Sequence, residues 1–301
     1  AASDVYKRQI QDIAHDVRRD RAFPYLRNFD LYEGHSWASG DATMDAGNNQ
    51  ESSSEAMQAW AGLIFWGAAT HNQRLRDLGI ALYATEADSV KTYWFNQYGD
   101  VFAPEYGRAV AGQVFGGKYS YNTWWTENPR EIQGINLLPI TTASTYLAEP
   151  ALIREFMSGL QAMERQYAGS GSSDGTPADI WQDILHQYQA LADPELAMKT
   201  YNDRGSVEDG DSRSHAWNWI HSLKHMGTPD FSVKANTPMY AVFKKSDQLR
   251  TYVVCNPSEQ PLPVKFSNGV AVTAAPQSLS HWQSGADGTL IQQMVNLRRQ
   301  P

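Results

Sequence analysis

The sequence predicts a mainly α chain closed by a small C-terminal β layer. Three observations carry that expectation. Apolar residues recur at three- and four-residue intervals through much of 10–228, the period of an amphipathic helix. After Thr228 the period falls to two, with strand-like runs at 239–244 and 250–256. Between the runs 264–266 and 270–274 lies Ser267-Asn268-Gly269, a hairpin turn signal.

Taken in order, helices are expected at 10–18, 50–69, 73–94, 133–148, 151–167, 178–191, 194–201 and 212–226. In the second of these, Met57, Trp60, Ala61 and Ile64 repeat at helical spacing, while Leu63, Phe65 and Trp66 make the other side apolar. A helix apolar nearly all round is usually buried between layers. The segment 96–130 is a long loop rich in aromatics, Tyr119, Tyr121, Trp124 and Trp125 among them. Long ordered loops in compact domains are usually functional. Residues 169–176 are polar and glycine-rich, hence a surface loop. Asp203, Glu208, Asp209 and Asp211 gather around Gly205 and Gly210 without the spacing of a calcium loop, and read as solvated. The tail 229–301 reads as four to six strands, with a turn at Ser246-Asp247. Cys255, the single cysteine, sits in a strand-like run as a small buried apolar residue.

The most informative stretch is 48–57. Glu51 and Glu55 stand four apart at the start of the expected helix, a spacing that puts side chains on one face roughly 5–6 Å apart at Cβ. Two carboxylates held together repel, so one of the pKa values should rise. That suits general acid–base work on a neutral substrate. The plainer reading makes both solvated first-turn residues that favour the helix dipole. Just upstream, residues 27–40 are dense in groups that bind sugars. Tyr32 and Trp37 offer flat faces with a polar tip, and Asn28, Asp30, Glu33 and His35 can bond hydroxyls. Gly34, Gly40 and Gly47 mark a loop that can bring backbone close to a ligand. His35 as a satisfied structural histidine and Trp37 as a core aromatic are the alternatives.

The run FDLYEGHSWASG followed by GNNQESSSEAM resembles the catalytic-domain signature of glycoside hydrolase family 81, the endo-β-1,3-glucanases. Further matching strings follow in order: LRDLGI at 75–80, YWF at 93–95, GINLLP at 134–139, WQDI at 181–184 and WNWIH at 217–221. The resemblance covers nearly the whole chain from Ile10 onward. It implies an (α/α)6 barrel, incomplete here because early helices are missing, over 10–228, with 229–301 packed on it as a β-rich tail. It implies an endo-acting, inverting hydrolase of β-1,3-glucan such as laminarin, curdlan or fungal cell-wall glucan. Glu51 would be the general base, with Glu55 sharing the proton, holding the water or taking the base role itself. Asp30, Tyr32, His35, Trp37, Asn49 and Gln50 would shape the adjacent subsites, and Trp124 and Glu131 would line the groove. Loop packing and a surface salt bridge are the alternatives for these last two. Many relatives carry His where this chain has Gln133, so a histidine role there does not carry over.

Inversion needs an acid and a base on opposite sides of the bond, roughly 6.5–9.5 Å apart. Two glutamates on one helix turn cannot easily bracket a sugar that way. In the family the proton donor is an aspartate in an Asp-His-His-Phe-His type motif, upstream of the region matching Ile10, and this chain has no such motif. Asp30 and Glu33 are the in-chain carboxylates best placed to substitute. Residues 4–9, DVYKRQ, match the translation of a common transposon-type sequencing adapter, so 1–9 are expected to be an artefact and the coding sequence to begin near Ile10; the alternative is that they are native.

A net charge of −8 argues against nucleic acid, which wants a basic stripe, and against a polyanionic sugar. Ten Trp and fifteen Tyr in an acidic chain favour stacking on a neutral glucan. No cofactor, metal or membrane partner is expected, and the protein is expected to be a monomer. The resemblance implies an extracellular enzyme, although no signal peptide or membrane-length apolar run is read in the chain. Two other readings remain open. One is a non-catalytic β-glucan-binding protein on the same scaffold. The other is a helical-barrel lyase, against which the acidic balance speaks.

Overall fold

A computed structural model describes residues 2–15, 17–38, 45–116, 118–171, 174–285 and 289–296. Ser39, Gly40 and positions 172–173 of the expected surface loop lie outside the described residues. By packing, the chain divides into two compact units, Ala1–Tyr188 with Arg204–Ser212, and Gln189–Asp203 with Arg213–Pro301. The expected boundary at 228 therefore falls inside the second unit, which takes two helices along with the strands.

The first unit is built around two long helices. Helix α1 spans Ala2–Ala14 and so includes residues 4–9. Helix α2 spans Ser53–Ala69 and α3 Gln73–Tyr93. Three residues separate these two, so they fold back as an αα-hairpin. Their axes approach closely because glycines face the partner backbone: a Cβ on Gly79 would lie 2.9 Å from the Ile64 nitrogen, and one on Gly67 2.5 Å from the Arg76 nitrogen. Met57, Trp60 and Leu63 of α2 and Leu82 and Ala87 of α3 bury against Leu26, Phe29 and Ala14. The all-round burial expected of α2 does not hold, since Phe65 is exposed.

A continuous helix over 133–148 is not formed. Helix α4 stops at Pro129–Gly134, and a 3-10 turn at Thr142–Leu147 takes up the remainder. Pro139 lies between them; it has no N–H to donate and forces its predecessor out of the helical region. Helix α5 spans Pro150–Gly169 and α6 Gln182–Ala190. Phe156 of α5 packs edge-on against Tyr188 of α6 at 5.0 Å, with Phe95 stacked on its other side at 6.2 Å. The chain before α2 forms short strands β1 (Phe29–Asp30), β2 (His35–Ser36) and β3 (Asn49–Gln50). The aromatic loop contributes β4 (Gln113–Phe115) and β5 (Lys118–Ser120), and β3, β4 and β5 form one antiparallel sheet.

In the second unit α7 (Pro194–Thr200) and α8 (Arg213–Met226) precede seven strands among the described residues, one more than the upper expectation. These are β6 (Thr228–Pro229), β7 (Tyr240–Lys244), β8 (Arg250–Asn256), β9 (Leu262–Lys265), β10 (Ala271–Ala274), β11 (Ser278–Ser284) and β12 (Leu290–Asn296). Five of them form an antiparallel sheet in the order β12-β11-β8-β7-β6. The β9–β10 hairpin turns at 267–269, where Gly269 takes φ +91°, a conformation that side chains disfavour. Val242, Tyr252, Val254, Val264, Phe266 and Trp282 form the core of this unit. Cys255 is half-buried in β8. Among the described residues no helix is long and apolar enough to cross a membrane.

Candidate active site

A cleft of about 380 Å³ opens in the first unit at the N-terminal end of α2. Its lining includes both glutamates, Glu51 and Glu55, with Trp37, Trp60, Trp124 and Trp125 around them and Asn28, Ser36, Gln50 and Ser52 as polar groups. Flat indole faces beside hydroxyl- and amide-bearing side chains suit a sugar ring, which has apolar faces and a polar rim.

The two glutamates do not share a helix face. Helix α2 begins at Ser53, so Glu51 precedes it and Glu55 alone lies in the first turn. The reason is a cap from a distant segment. The Ser52 side chain makes no cap bond. Instead Asn136 Oδ1 accepts from the Ser53 amide at 3.0 Å and the Ser53 hydroxyl at 2.9 Å, and its Nδ2 donates to the Gly112 carbonyl at 2.9 Å. Asn136 thus ties three things together: the start of α2, the strand that enters β4, and the GINLLP stretch that carries it. On the other side of Glu51, Asn49 and Gln50 pair with Phe115 and Val114. Glu51 is held between a strand pairing and a helix cap, on backbone with little freedom.

Glu51 is buried, at 9% exposure, and its Oε1 has no hydrogen-bond partner. Burial raises its pKa above the ordinary glutamate value, with the Trp124 backbone amide pulling the other way. A rise was expected, but from repulsion between the pair; the cause here is desolvation. Glu55 is exposed. Trp124 is 78% exposed, so its ring is a platform rather than core packing.

Of the residues singled out from sequence, the cleft gathers Asn28, Trp37, Gln50, Glu51, Glu55 and Trp124. Asp30, Tyr32, His35, Asn49 and Glu131 do not line it. His35 is buried with its ring 4.5 Å from Trp37 and 5.2 Å from Trp94, its Nδ1 donates to the Ser36 carbonyl at 2.8 Å, and burial lowers its pKa. The structure places it as a packed, neutral histidine. Asp30 accepts from the Trp37 indole at 3.2 Å and from the Tyr32 and Glu33 amides. Burial alone would raise its pKa, but these bonds outweigh it and leave it lowered. A carboxylate held ionised in a turn is a poor acid, so Asp30 is not placed to stand in as proton donor. Tyr32 is 93% exposed beyond the cleft. Asn49 donates to Gln113 across the β3–β4 pairing at 3.4 Å. Glu131 is buried rather than salt-bridged on the surface, accepting from Thr126 at 2.8 Å and from the Trp125 indole at 3.5 Å.

Four contributors are not among the site residues proposed from sequence. Trp125 and Trp60 line the cleft, and Asn136 caps α2. Glu86 lies fully buried behind the cleft, accepting from Ser36 and Trp60. Asn136 falls inside the GINLLP match, so the string flagged it without giving a role. The solvated reading of the acidic loop also fails in part. Asp211 accepts from Gln187 at 2.6 Å, and buried Asp183 accepts from the Glu208 amide at 3.2 Å. Burial, with Asp211 beside it, pushes the Asp183 carboxyl up to about 6.

Comparison with known proteins fixes the family. The profile described as the glycosyl hydrolase family 81 C-terminal domain matches residues 2–220, and the chain belongs to that family. It is 48% identical over 90% of its length to a glucan endo-1,3-beta-D-glucosidase of Acetivibrio thermocellus, and 39% identical over 90% to one of Thermobifida fusca. It covers 34% and 35% of those proteins respectively, so it spans about a third of the curated relatives it matches. A solved glutamate-to-alanine mutant of glycoside hydrolase family 81 from Clostridium thermocellum is similar in structure. Its TM-score is 0.82 and its identity 47%, over 91% of this chain and 37% of that one.

Proposed function

We propose that this chain carries the base side of an endo-acting, inverting β-1,3-glucan hydrolase. The observation that supports it best is the buried, partnerless Oε1 of Glu51 in an indole-lined cleft. In the ionised form Glu51 takes a proton from water as the water oxygen bonds to the anomeric carbon. The bond from that carbon to the leaving oxygen breaks, and the oxygen is protonated from the opposite face. Glu55, on the next turn, holds the water or shares the proton. Trp37, Trp124 and Trp125 receive the pyranose faces. Glu51 and Glu55 belong to one short segment, so the general acid is a different carboxyl, across the cleft.

On this reading the α2–α3 hairpin is one repeat of an (α/α)6 barrel, with the strand-rich tail as an accessory element. The partner is a neutral β-1,3-glucan, met outside the cell by a monomeric enzyme without cofactor or metal. The relatives' names, which specify glucan endo-1,3-beta-D-glucosidase, support the substrate class. The second reading, a non-catalytic β-glucan-binding scaffold, is favoured by the one-sidedness of the carboxylate pair. Glu51→Gln in a full-length relative separates the two: the hydrolase reading expects turnover lost and laminarin binding kept, and retained turnover overturns it.

A further inference from the structure

Glu86 lies in the middle of α3, where the apolar pattern calls for a core residue, and it is fully buried. A carboxylate left there unpaired would carry a large desolvation cost. It is not unpaired. Oε1 accepts from the Ser36 amide at 3.1 Å and the Ser36 hydroxyl at 2.8 Å, and Oε2 accepts from the Trp60 indole at 2.6 Å. All three partners are donors, so the group acts as an acceptor throughout, as an ionised carboxylate does. Desolvation dominates and leaves its pKa raised, with these bonds acting against it.

The chain of bonds continues. Gln50 Nε2 donates to the Ser36 hydroxyl at 3.0 Å. A serine hydroxyl has one proton, and here that proton goes to Glu86, which leaves the oxygen lone pair for Gln50. The sequence Gln50 amide to Ser36 hydroxyl to Glu86 carboxylate is therefore polarised in one direction, and a chain aligned this way strengthens each member. Gln50 is bonded covalently to Glu51, and Ser36, Gln50 and Trp60 all line the cleft while Glu86 does not.

We infer that Glu86 is a positioning residue, a buried acceptor anchor that fixes the Trp60 wall of the cleft and, through Ser36 and Gln50, the segment bearing Glu51. This inference rests on the glucan-hydrolase reading of the same cleft. The isosteric Glu86→Gln is the informative change. An amide presents one acceptor and one donor, so either the Trp60 indole or the Ser36 pair must face an N–H.

The test uses the chain in wild-type form and as Glu86→Gln, Ser36→Ala and the double variant. Two readouts are taken: the titration of the Glu51 side chain by ¹³C NMR, and laminarihexaose affinity by calorimetry. The inference expects Glu86→Gln to return the Glu51 midpoint toward the ordinary carboxylate range and to weaken laminarihexaose about tenfold. Ser36→Ala should move both in the same direction, and the double variant should add little. Should Glu86→Gln fail to fold, Ser36→Ala still cuts the relay at its middle. A variant that melts earlier yet leaves the Glu51 titration unchanged overturns the inference, because a purely structural role predicts that pattern. Wild-type protein that ignores laminarihexaose refutes the glucan reading instead, and the titration still decides on Glu86.

Discussion

Replacing Asn136 with Ala removes the cap that decides where α2 begins. Three hydrogen bonds vanish: two from Ser53 to Oδ1 and one from Nδ2 to the Gly112 carbonyl. Each is worth about 1 kcal/mol net. Asn136 and Ser53 are both buried, so the orphaned Ser53 amide and Gly112 carbonyl are not cheaply rehydrated. A loss of about 3 kcal/mol follows, with about 5 as the upper end. For a unit of this size each kcal/mol lowers the melting temperature by roughly 2–4 °C, so a drop of about 6–12 °C is expected. Circular dichroism at the helix band during heating reads it, and guanidinium titration with an unchanged slope confirms that stability alone has moved. An Ala variant that loses less than about 1 kcal/mol refutes the cap as the organiser of this segment.

Three further outcomes are expected. Gly79→Val puts a branched side chain where even a Cβ would come within 2.9 Å of the Ile64 backbone, so it should destabilise by about 3 kcal/mol or more by denaturant melts; a neutral result removes close α2–α3 packing from the account. Asp183 has a folded pKa of about 6 against an ordinary 3.8, so it binds more protons folded than unfolded and its contribution is full below pH 3.8 and lost as pH rises through 6. Asp183→Asn should therefore gain on wild type in melting temperature between pH 4 and 7, and a pH-independent difference contradicts this. By the same sign, the raised pKa of Glu51 makes Glu51→Gln relatively more stable once the pH passes 4.5, which parallel melts at pH 4 and pH 7 would show.

How much of this could be read in advance depends on how local its cause is. Helices α2, α3, α5, α7 and α8 follow from apolar spacing and neighbouring breakers, and the β9–β10 turn from Asn268-Gly269 alone. The helix expected at 133–148 does not form because Ile135, Leu137 and Leu138 suit a helix while Pro139 forbids its continuation. The start of α2 lies three residues later than the spacing predicts because its cap lies 83 positions away in sequence. Spacing alone then put Glu51 and Glu55 on one face. Glu86 was invisible for the same reason: its partners stand 50 and 26 positions away, and only their convergence makes a buried glutamate tolerable in α3. His35 shows the opposite limit. Its residue type suits either a ligand or a packed ring, and three neighbouring aromatics at 4.5–5.9 Å choose the latter. The family strings point to segments that line the cleft, which composition and period do not single out.

Calorimetric titration of the chain with laminarihexaose, beside Trp124→Ala and Glu51→Gln, tests the glucan cleft most directly. Saturable binding is predicted, kept by Glu51→Gln and weakened about tenfold, about 1.4 kcal/mol, by Trp124→Ala with its melting temperature unchanged. Absent binding, an equal affinity for cellohexaose, or a Trp124→Ala variant that binds like wild type would contradict the assignment of this cleft to a β-1,3-glucan.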